Sequence, residues 1–303
     1  MRELVLGVDI GGTKTSIGLV DSSGYILHQD NIPTNPKKGF EDFIERLLSS
    51  IHKILLDANC SLPEIKGIGV GCPGPLDLEN GTILNLYTLP SWEGQDIVST
   101  IRQASGLPTF LENDADAALL GELFAGAARG HQNVAMLTLG TGVGGAVLNS
   151  GKIYRGFRGE HPEFGHIPGL PEGPLCYCGL KGCLESLASG TAITNSGRKR
   201  GFRSSYEVFR QARSGNPMAR EIIDRASKAL SQATWMLLHT FVPEMILLGG
   251  GIMDDNFDLF KDQIEETLGK AKLVEQIPVK VSRAELGNQA GIVGAAYLVM
   301  RSP

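Results

Sequence analysis

DIGGTKT, from Asp9 to Thr15, follows the apolar run LVLGVD (Leu4–Asp9) and leads into TSIGLVD (Thr15–Asp21). A short apolar run, a pair of glycines and a second apolar run read as two buried strands joined by a tight hairpin. A glycine-rich tip leaves backbone N–H groups turned outward, and Thr13 adds a hydroxyl beside Gly11 and Gly12. Such concavities bind anions. Asp9, at the strand end, is placed to hold Mg²⁺ through water. SSG (Ser22–Gly24) makes a second turn and YILHQ (Tyr25–Gln29) continues the meander.

The same design returns past the midpoint. NVAMLTLG (Asn133–Gly140) reads as a buried strand, TGVGG turns it, AVLN returns, and KIYR continues. Gly140, Thr141 and Gly142 form the second tip, and two such tips can clamp a polyphosphate. The repeat predicts duplicated half-domains. GTGVGG (Gly140–Gly145) also contains G-x-G-x-x-G, but the dinucleotide reading requires a helix next. A strand pattern follows instead, so that reading is rejected; G-x-x-x-x-G-K-[ST] is absent.

Between and after the meanders the period changes. FEDFIERLLSSIHKILLDA carries apolar residues at helical spacing, and IKGIGVGCPGPLD is a buried strand ending in a Gly/Pro loop. The last third is mainly helical, with strands at EMILLGGG and PVKVSRA and a final helix AGIVGAAYLVM. Strands interleaved with long helices imply α/β layers.

Composition narrows the function. The chain has 303 residues, 42% hydrophobic and 20% charged, enough for about two domains. A net charge of −5 leaves no electrostatic footprint for nucleic acid or an anionic membrane. The one basic cluster, GRKRGFR (Gly197–Arg203), reads as a solvated loop. No apolar run approaches the roughly 20 residues of a membrane span. The N-terminal apolar run breaks at Asp9, too early for a signal peptide, so a cytoplasmic setting is expected.

Three of the five cysteines crowd into HPEFGHIPGLPEGPLCYCGLKGCLE (His161–Glu185). His166, Cys176, Cys178 and Cys183 have the spacing H-x9-C-x-C-x4-C. Three thiolates and one imidazole make a closed tetrahedral set, which predicts a structural Zn²⁺. Cys60 and Cys72 stand in apolar contexts and are expected to be buried thiols. LENDADAALLGE (Leu111–Glu122) passes from a strand end into a helix, and Asp114 is well placed to cap it.

DIGGTKT, LGTGVGG and LLGGGI (Leu247–Ile252) resemble the two phosphate loops and the adenosine loop of the actin-like ATPase clan. EFGH followed by CYCGLKGCLE narrows the resemblance to the ROK family of repressors and sugar kinases, from Leu4 to about Ala296. The resemblance implies an actin-like (ribonuclease H-like) two-domain α/β fold with an interdomain cleft. The small domain is expected at 1–111 plus about 290–303, and the large domain, with the zinc loop, at 112–289. It implies ATP and Mg²⁺ held by Asp9, Gly11, Gly12, Thr13, Lys14, Thr15, Gly140, Thr141, Gly142, Gly249, Gly250 and Gly251. In the family's kinases the Asn-Asp pair matching Asn113 and Asp114 binds sugar, and the aspartate is the general base. Pro73, Gly74, Glu163, His166 and Glu185 complete the implied hexose site, and a homodimer is expected.

Three functions compete. A ROK repressor carries an N-terminal helix-turn-helix domain, for which a phosphate loop opening at Asp9 leaves no room. A complete Asp114 also argues for catalysis over a repressor, and a sugar-sensing or chaperone-like ATPase without phosphotransfer is separated from a kinase by whether ADP release depends on added sugar. An ATP-dependent hexose 6-kinase is the first expectation. ENDADAALLGE and Cys-x-Cys-Gly are similar to glucokinases and N-acetylhexosamine kinases, whereas His161-Pro162-Glu163 is similar to the fructokinase branch. Glucose therefore stands first, with N-acetylglucosamine, N-acetylmannosamine, mannose and fructose as alternatives, and polyphosphate as an alternative donor.

Overall fold

The computed structural model describes residues Glu3–Ser302, which divide into two compact units. The first runs through Gly130, takes back Arg155–His161, and resumes at Asn288. The second comprises His131–Tyr154 and Pro162–Gly287.

In the first unit, β1 (Leu4–Ile10), β2 (Lys14–Asp21) and β3 (Ile26–Pro33) form an antiparallel meander. β4 (Ile65–Cys72) then pairs parallel with β1. A two-residue hairpin, β5 (Leu76–Asp77) with β6 (Thr82–Ile83), follows, and β7 (Thr109–Asn113) closes the sheet parallel to β4. The order is β3-β2-β1-β4-β7. Helix α1 (Phe40–Asp57) lays Phe43, Leu47, Ile51 and Ile54 into the core, where Phe43 packs on Trp92 with ring centroids 4.4 Å apart. Each such side chain contributes about 1.5–3 kcal/mol by burial, so Leu47→Ala would cost about 2–5 kcal/mol. Helix α2 (Ile97–Ser105) is capped by Asp96, whose side chain accepts the Ser99 N–H. Helix α3 (Asp114–Ala125) starts directly from β7.

The helix Ala290–Met300 lies against this unit, buried almost all round. Its backbone approaches so closely that a Cβ at Gly69 would overlap the Ala295 carbonyl, and one at Gly294 the Ala117 carbonyl of α3. That contact, and the pairing of Asn113 with Cys72 across β7 and β4, put β7 and α3 in the first unit. The boundary expected near Leu111 therefore differs from the observed division at Gly130: helix α3 has its partner about 170 residues away in sequence.

The second unit repeats the plan. β8 (Val134–Leu139), β9 (Val143–Asn149) and β10 (Lys152–Ile153) form an antiparallel meander. The short helices α4 (Glu185–Ala188) and α5 (Gly190–Arg198) follow, then α6 (Ser205–Arg213) and α7 (Pro217–Phe241). Asn216 caps α7 by accepting from Met218 and Ala219 N–H, and Pro217 starts it at a position where a missing N–H costs nothing. β11 (Met245–Gly249) adds parallel to β8, helices α8 (Gly251–Asn256) and α9 (Asp258–Leu268) follow, and β12 (Lys280–Arg283) pairs parallel with β11. The order β10-β9-β8-β11-β12 matches that of the first sheet, so the duplicated half-domains are real. No helix follows Gly145, which lies inside β9. Gly250 has φ 85°, and a Cβ there would stand 2.5 Å from the Leu139 carbonyl oxygen, so a side chain is disfavoured at the turn into α8.

Two smaller expectations change. Gly197–Arg203 is not wholly loop, since its first residues close α5 and Arg200 pairs with Glu221. Cys72 is buried, but Cys60 is only half-buried.

Candidate active site

The first glycine tip is a tight turn in which Gly11 N–H donates to the Lys14 carbonyl (2.9 Å). Gly12, Thr13 and Lys14 are exposed, while Thr15 is buried. Thr34 pins the turn from behind: its hydroxyl donates to the Gly11 carbonyl (2.7 Å) and its N–H to the Thr13 carbonyl (2.9 Å). The Gly11 and Thr13 carbonyls of the tip are thus held in place.

Asp9 lies beside this tip in register with Gly71 on β4. Gly71 lies against both carboxylate residues: a Cβ there would stand in ordinary contact with Asp9 Oδ1 at 3.8 Å and with Asp114 Cα at 3.7 Å. Part of the Asp9 side chain reaches solvent, yet the protein crowded around it desolvates the carboxyl. Burial raises its pKa to about 7, with repulsion from Asp114 adding and Lys14 opposing. A bound cation would relieve both causes, so the residues fit Mg²⁺.

Asn113, not Asp114, caps α3. Its Oδ1 accepts the Ala115 and Asp116 N–H groups (2.9 and 3.2 Å). Asp114 is instead the first helical residue, and its Oδ1 accepts the Ala115 N–H at 2.8 Å. The cap decides which way the Asn113 amide faces. Its Nδ2 must donate, and it meets His161 Nε2 at 3.2 Å, which therefore accepts. A Cβ at Gly74 would stand 2.5 Å from the same His161 nitrogen. The Pro73–Gly74 loop is in turn held by buried Asn85, whose Nδ2 donates to the Gly74 carbonyl at 2.7 Å.

A buried ion group supports this junction. The Arg155 guanidinium donates to Asp116 Oδ2 and to Glu112 Oε1, and Glu112 Oε1 also accepts the Asn113 N–H at 2.8 Å. Burial raises Asp116 to about 7 even with Arg155 pulling it down, and the two carboxylates hold Arg155 above its usual range. Glu112, Arg155 and Asp116 thus clamp the residues on either side of Asn113 and Asp114.

In the second unit Gly140 and Thr141 are tied to the start of α5. Gly190 N–H donates to the Gly140 carbonyl (2.8 Å), and the Thr191 hydroxyl donates to the Thr141 carbonyl (2.8 Å). Glu185 Oε2 accepts the Val143 N–H at 2.9 Å and fills the space a Cβ at Gly142 would need. Glu185, expected on a sugar, thus also braces the glycine tip. Glu163 is exposed, and its carbonyl accepts the His166 N–H at 3.0 Å. Gly249, Gly250 and Gly251 form the β11–α8 turn.

The metal-ligand residues converge. One ligand atom from each of His166, Cys176, Cys178 and Cys183 lies within 4.8 Å of every other. Tetrahedral zinc with bonds of about 2.3 Å needs sulfurs about 3.8 Å apart, and Cys178 and Cys183 Sγ are at 3.4 Å. His166 turns Nδ1 inward, 3.5 Å from Cys176 Sγ, and Nε2 toward Tyr177 Oη at 3.0 Å. Burial and its neighbour thiols push Cys183 up to about 12, whereas the Leu180 N–H holds Cys178 below its usual range. A cation is what lets three crowded thiols ionise together.

The sequence reading missed Thr34, Asn85, Arg155 and Tyr177. None sits in a spacing that advertises chemistry. Tyr177, between two cysteine ligands, is the one that a search of the metal loop's other partners would have found.

Two α/β units built on one strand order, each with a glycine tip after its first strand, define the actin-like ATPase fold. The model of the ROK family matches residues 5–302, and the chain belongs to that family. It is 35% identical to the Thermotoga maritima glucokinase, over 97% of this chain and 96% of that protein. Its structure is similar to the ROK hexokinase from Thermus thermophilus, with a TM-score of 0.82, 35% identity and 99% of both chains covered. It is also similar to the ROK family glucokinase from Streptomyces griseus in complex with glucose and AMPPNP, with a TM-score of 0.82 and 31% identity over 99% of this chain and all of that one.

Proposed function

We propose that this protein is an ATP-dependent hexose kinase that phosphorylates the 6-hydroxyl of glucose, with Asp114 as general base. The observation that carries the role of Asp114 is its place at the first turn of α3 beside a neighbour whose amide is already pinned. A sugar hydroxyl is a poor nucleophile, so a carboxylate must accept its proton as the phosphoryl group arrives. The hexose reading draws on the glucokinase and hexokinase relatives, one of them bound to glucose and AMPPNP.

The N–H groups of Gly12 and Thr13, and of Gly140–Gly142, are assigned to phosphate oxygens, with Lys14 and Thr15 beside the first tip and Gly249–Gly251 at the adenosine. Asp9 would hold Mg²⁺, which supplies charge neutralisation on the phosphates. Asn113, Glu163, His166, Glu185 and the Pro73–Gly74 loop are assigned to sugar hydroxyls. With its Oδ1 spent on the helix cap, Asn113 can offer only its amide hydrogens. The His166, Cys176, Cys178, Cys183 set would hold Zn²⁺ as a structural ion, because four protein donors leave no position for a reacting water. Five cysteines, an odd count with close Cys-x-Cys spacing, make a poor disulfide framework, which supports a reducing, cytoplasmic setting; among the described residues no helix is long and apolar enough to cross a membrane. The homodimer rests on the motif resemblance.

Two measurements test the reading. A panel of glucose, the N-acetylhexosamines, mannose and fructose with ATP and Mg²⁺ is expected to give glucose the highest kcat/KM; a higher value for fructose overturns the glucose assignment. Asp114→Asn is expected to lower kcat by about 10²–10⁴ while glucose still binds. Retention of half the wild-type kcat removes Asp114 as the base.

A further inference from the structure

The segment Arg155–His161 belongs to the first unit, although its neighbours in sequence on both sides belong to the second. Its two ends grip one junction. Arg155 donates to Asp116 and Glu112, on either side of Asn113 and Asp114. His161 Nε2 meets the Asn113 amide nitrogen at 3.2 Å. The same point is crowded by a third segment: a Cβ at Gly74 would stand 2.5 Å from His161 Nε2 and 3.4 Å from Asn113 Nδ2. Asn85 holds that segment by donating to the Gly74 carbonyl at 2.7 Å.

The hydrogen bonds of Asn113 can be counted. Its Oδ1 accepts two N–H groups of the α3 cap, from Ala115 and Asp116. Its Nδ2 carries two hydrogens, and His161 Nε2 takes one. One hydrogen is left to offer a ligand. Contacts at both ends hold the amide plane, whereas the cap alone would let Nδ2 swing about Oδ1. A hydroxyl that meets the remaining hydrogen must accept there, so its own proton points elsewhere. A cavity of about 10 Å³ borders Asn113 and His161, with Arg155 and Leu76 also in its wall. That is room for about one water and not for a sugar ring. His161 therefore acts through Asn113 and not by touching a sugar in that cavity.

We propose that His161 is a positioning residue for sugar binding: it holds the Asn113 amide so that a single N–H, and no acceptor, faces the substrate hydroxyl. The proposal rests on the assignment of Asn113 to the sugar. A space-filling role at position 161 would be met by any ring of similar size. The positioning role needs an acceptor atom where Nε2 lies.

The experiment uses the full chain with ATP, Mg²⁺ and glucose. His161→Phe is expected to speed exchange of the Asn113 side-chain amide protons about three- to tenfold, the worth of one hydrogen bond. KM for glucose should rise by a similar factor, with kcat and KM for ATP little changed, the pattern of a contact made equally in ground and transition states. His161→Gln, whose amide oxygen can reach the place of Nε2, should restore both readings. Wild-type amide exchange or a wild-type glucose KM in His161→Phe overturns the proposal, and so does His161→Gln behaving like His161→Phe. Asn113→Ser tests the underlying assignment, since it keeps a capping oxygen but has no amide hydrogens. It should raise the glucose KM at least as far as His161→Phe does. A rise in Asn113→Ser without one in His161→Phe leaves Asn113 on the sugar and removes His161. A wild-type glucose KM in Asn113→Ser takes Asn113 off the sugar and the proposal with it.

Discussion

Gly291 faces the carboxylate of Asp9: a Cβ at position 291 would stand 2.5 Å from the Asp9 carboxyl carbon and 2.7 Å from both of its oxygens. The helix Ala290–Met300 therefore ends, at its first turn, on the residue assigned to the magnesium ion. In an open helix, Gly→Ala gains about 1 kcal/mol. Here the carboxylate is the group that must yield. Gly291→Ala is expected to leave the fold within about 1 kcal/mol of wild type while raising the Mg²⁺ requirement and lowering kcat at least tenfold. Wild-type kinetics in the substituted enzyme would refute the contact. Gly294→Ala meets the backbone carbonyl of Ala117 instead, and should lose stability with no such magnesium dependence.

Stability should depend on pH through Asp9. Its folded pKa is raised to about 7 by burial and by Asp114, from 3.8 for the free side chain. Between those values the folded protein holds a proton that the unfolded chain releases. Stability contributed by the protonated form is therefore present below about pH 4 and is lost as pH rises to about 7. Asp9→Asn is expected to stabilise the nucleotide-free protein at pH 8, by at most about 4 kcal/mol, and to add little at pH 4. Equal gains at both pH values, measured by denaturant titration, would contradict this.

Arg155 should matter more for stability than any surface arginine. Removing it in Arg155→Met leaves Glu112 and Asp116 buried without their cation, a change that typically costs about 3–5 kcal/mol. The loss should be smaller at pH 5 than at pH 8, because Asp116 can then take up a proton. Adding Asp116→Asn should restore part of it. Should the denaturation midpoint of Arg155→Met match wild type, the ion group is not what holds the β7–α3 junction.

One zinc ion per chain is expected by elemental analysis. Cys178→Ser should lower that content and reduce kcat/KM by about 10²-fold through misplaced loop residues. Cys60→Ser, outside the cluster, should change neither. Active enzyme free of zinc would end the assignment.

The residues that announce themselves in the sequence are those whose chemistry is local. Gly11, Gly12 and Thr13 sit within one turn, and His166 through Cys183 within one loop, so composition and spacing suffice to read a glycine tip and a cluster of metal-ligating side chains. The strand and helix periods likewise emerge from neighbouring residues, which is why the two meanders were visible as a repeat. What tertiary structure decided is which distant groups meet. Arg155 finds Asp116 and Glu112 from 39 and 43 residues away, and nothing in either stretch marks the partner. Asn113 took the helix cap from Asp114 because β7 delivers it in extended conformation at the strand end, φ −64° and ψ 146°, a geometry that only the folded sheet imposes. The final helix assigned α3 to the first unit by backbone contact at Gly294 and Gly121, where the deciding feature is a missing side chain. Such contacts depend on where two segments pack, and only the packed chain contains that information.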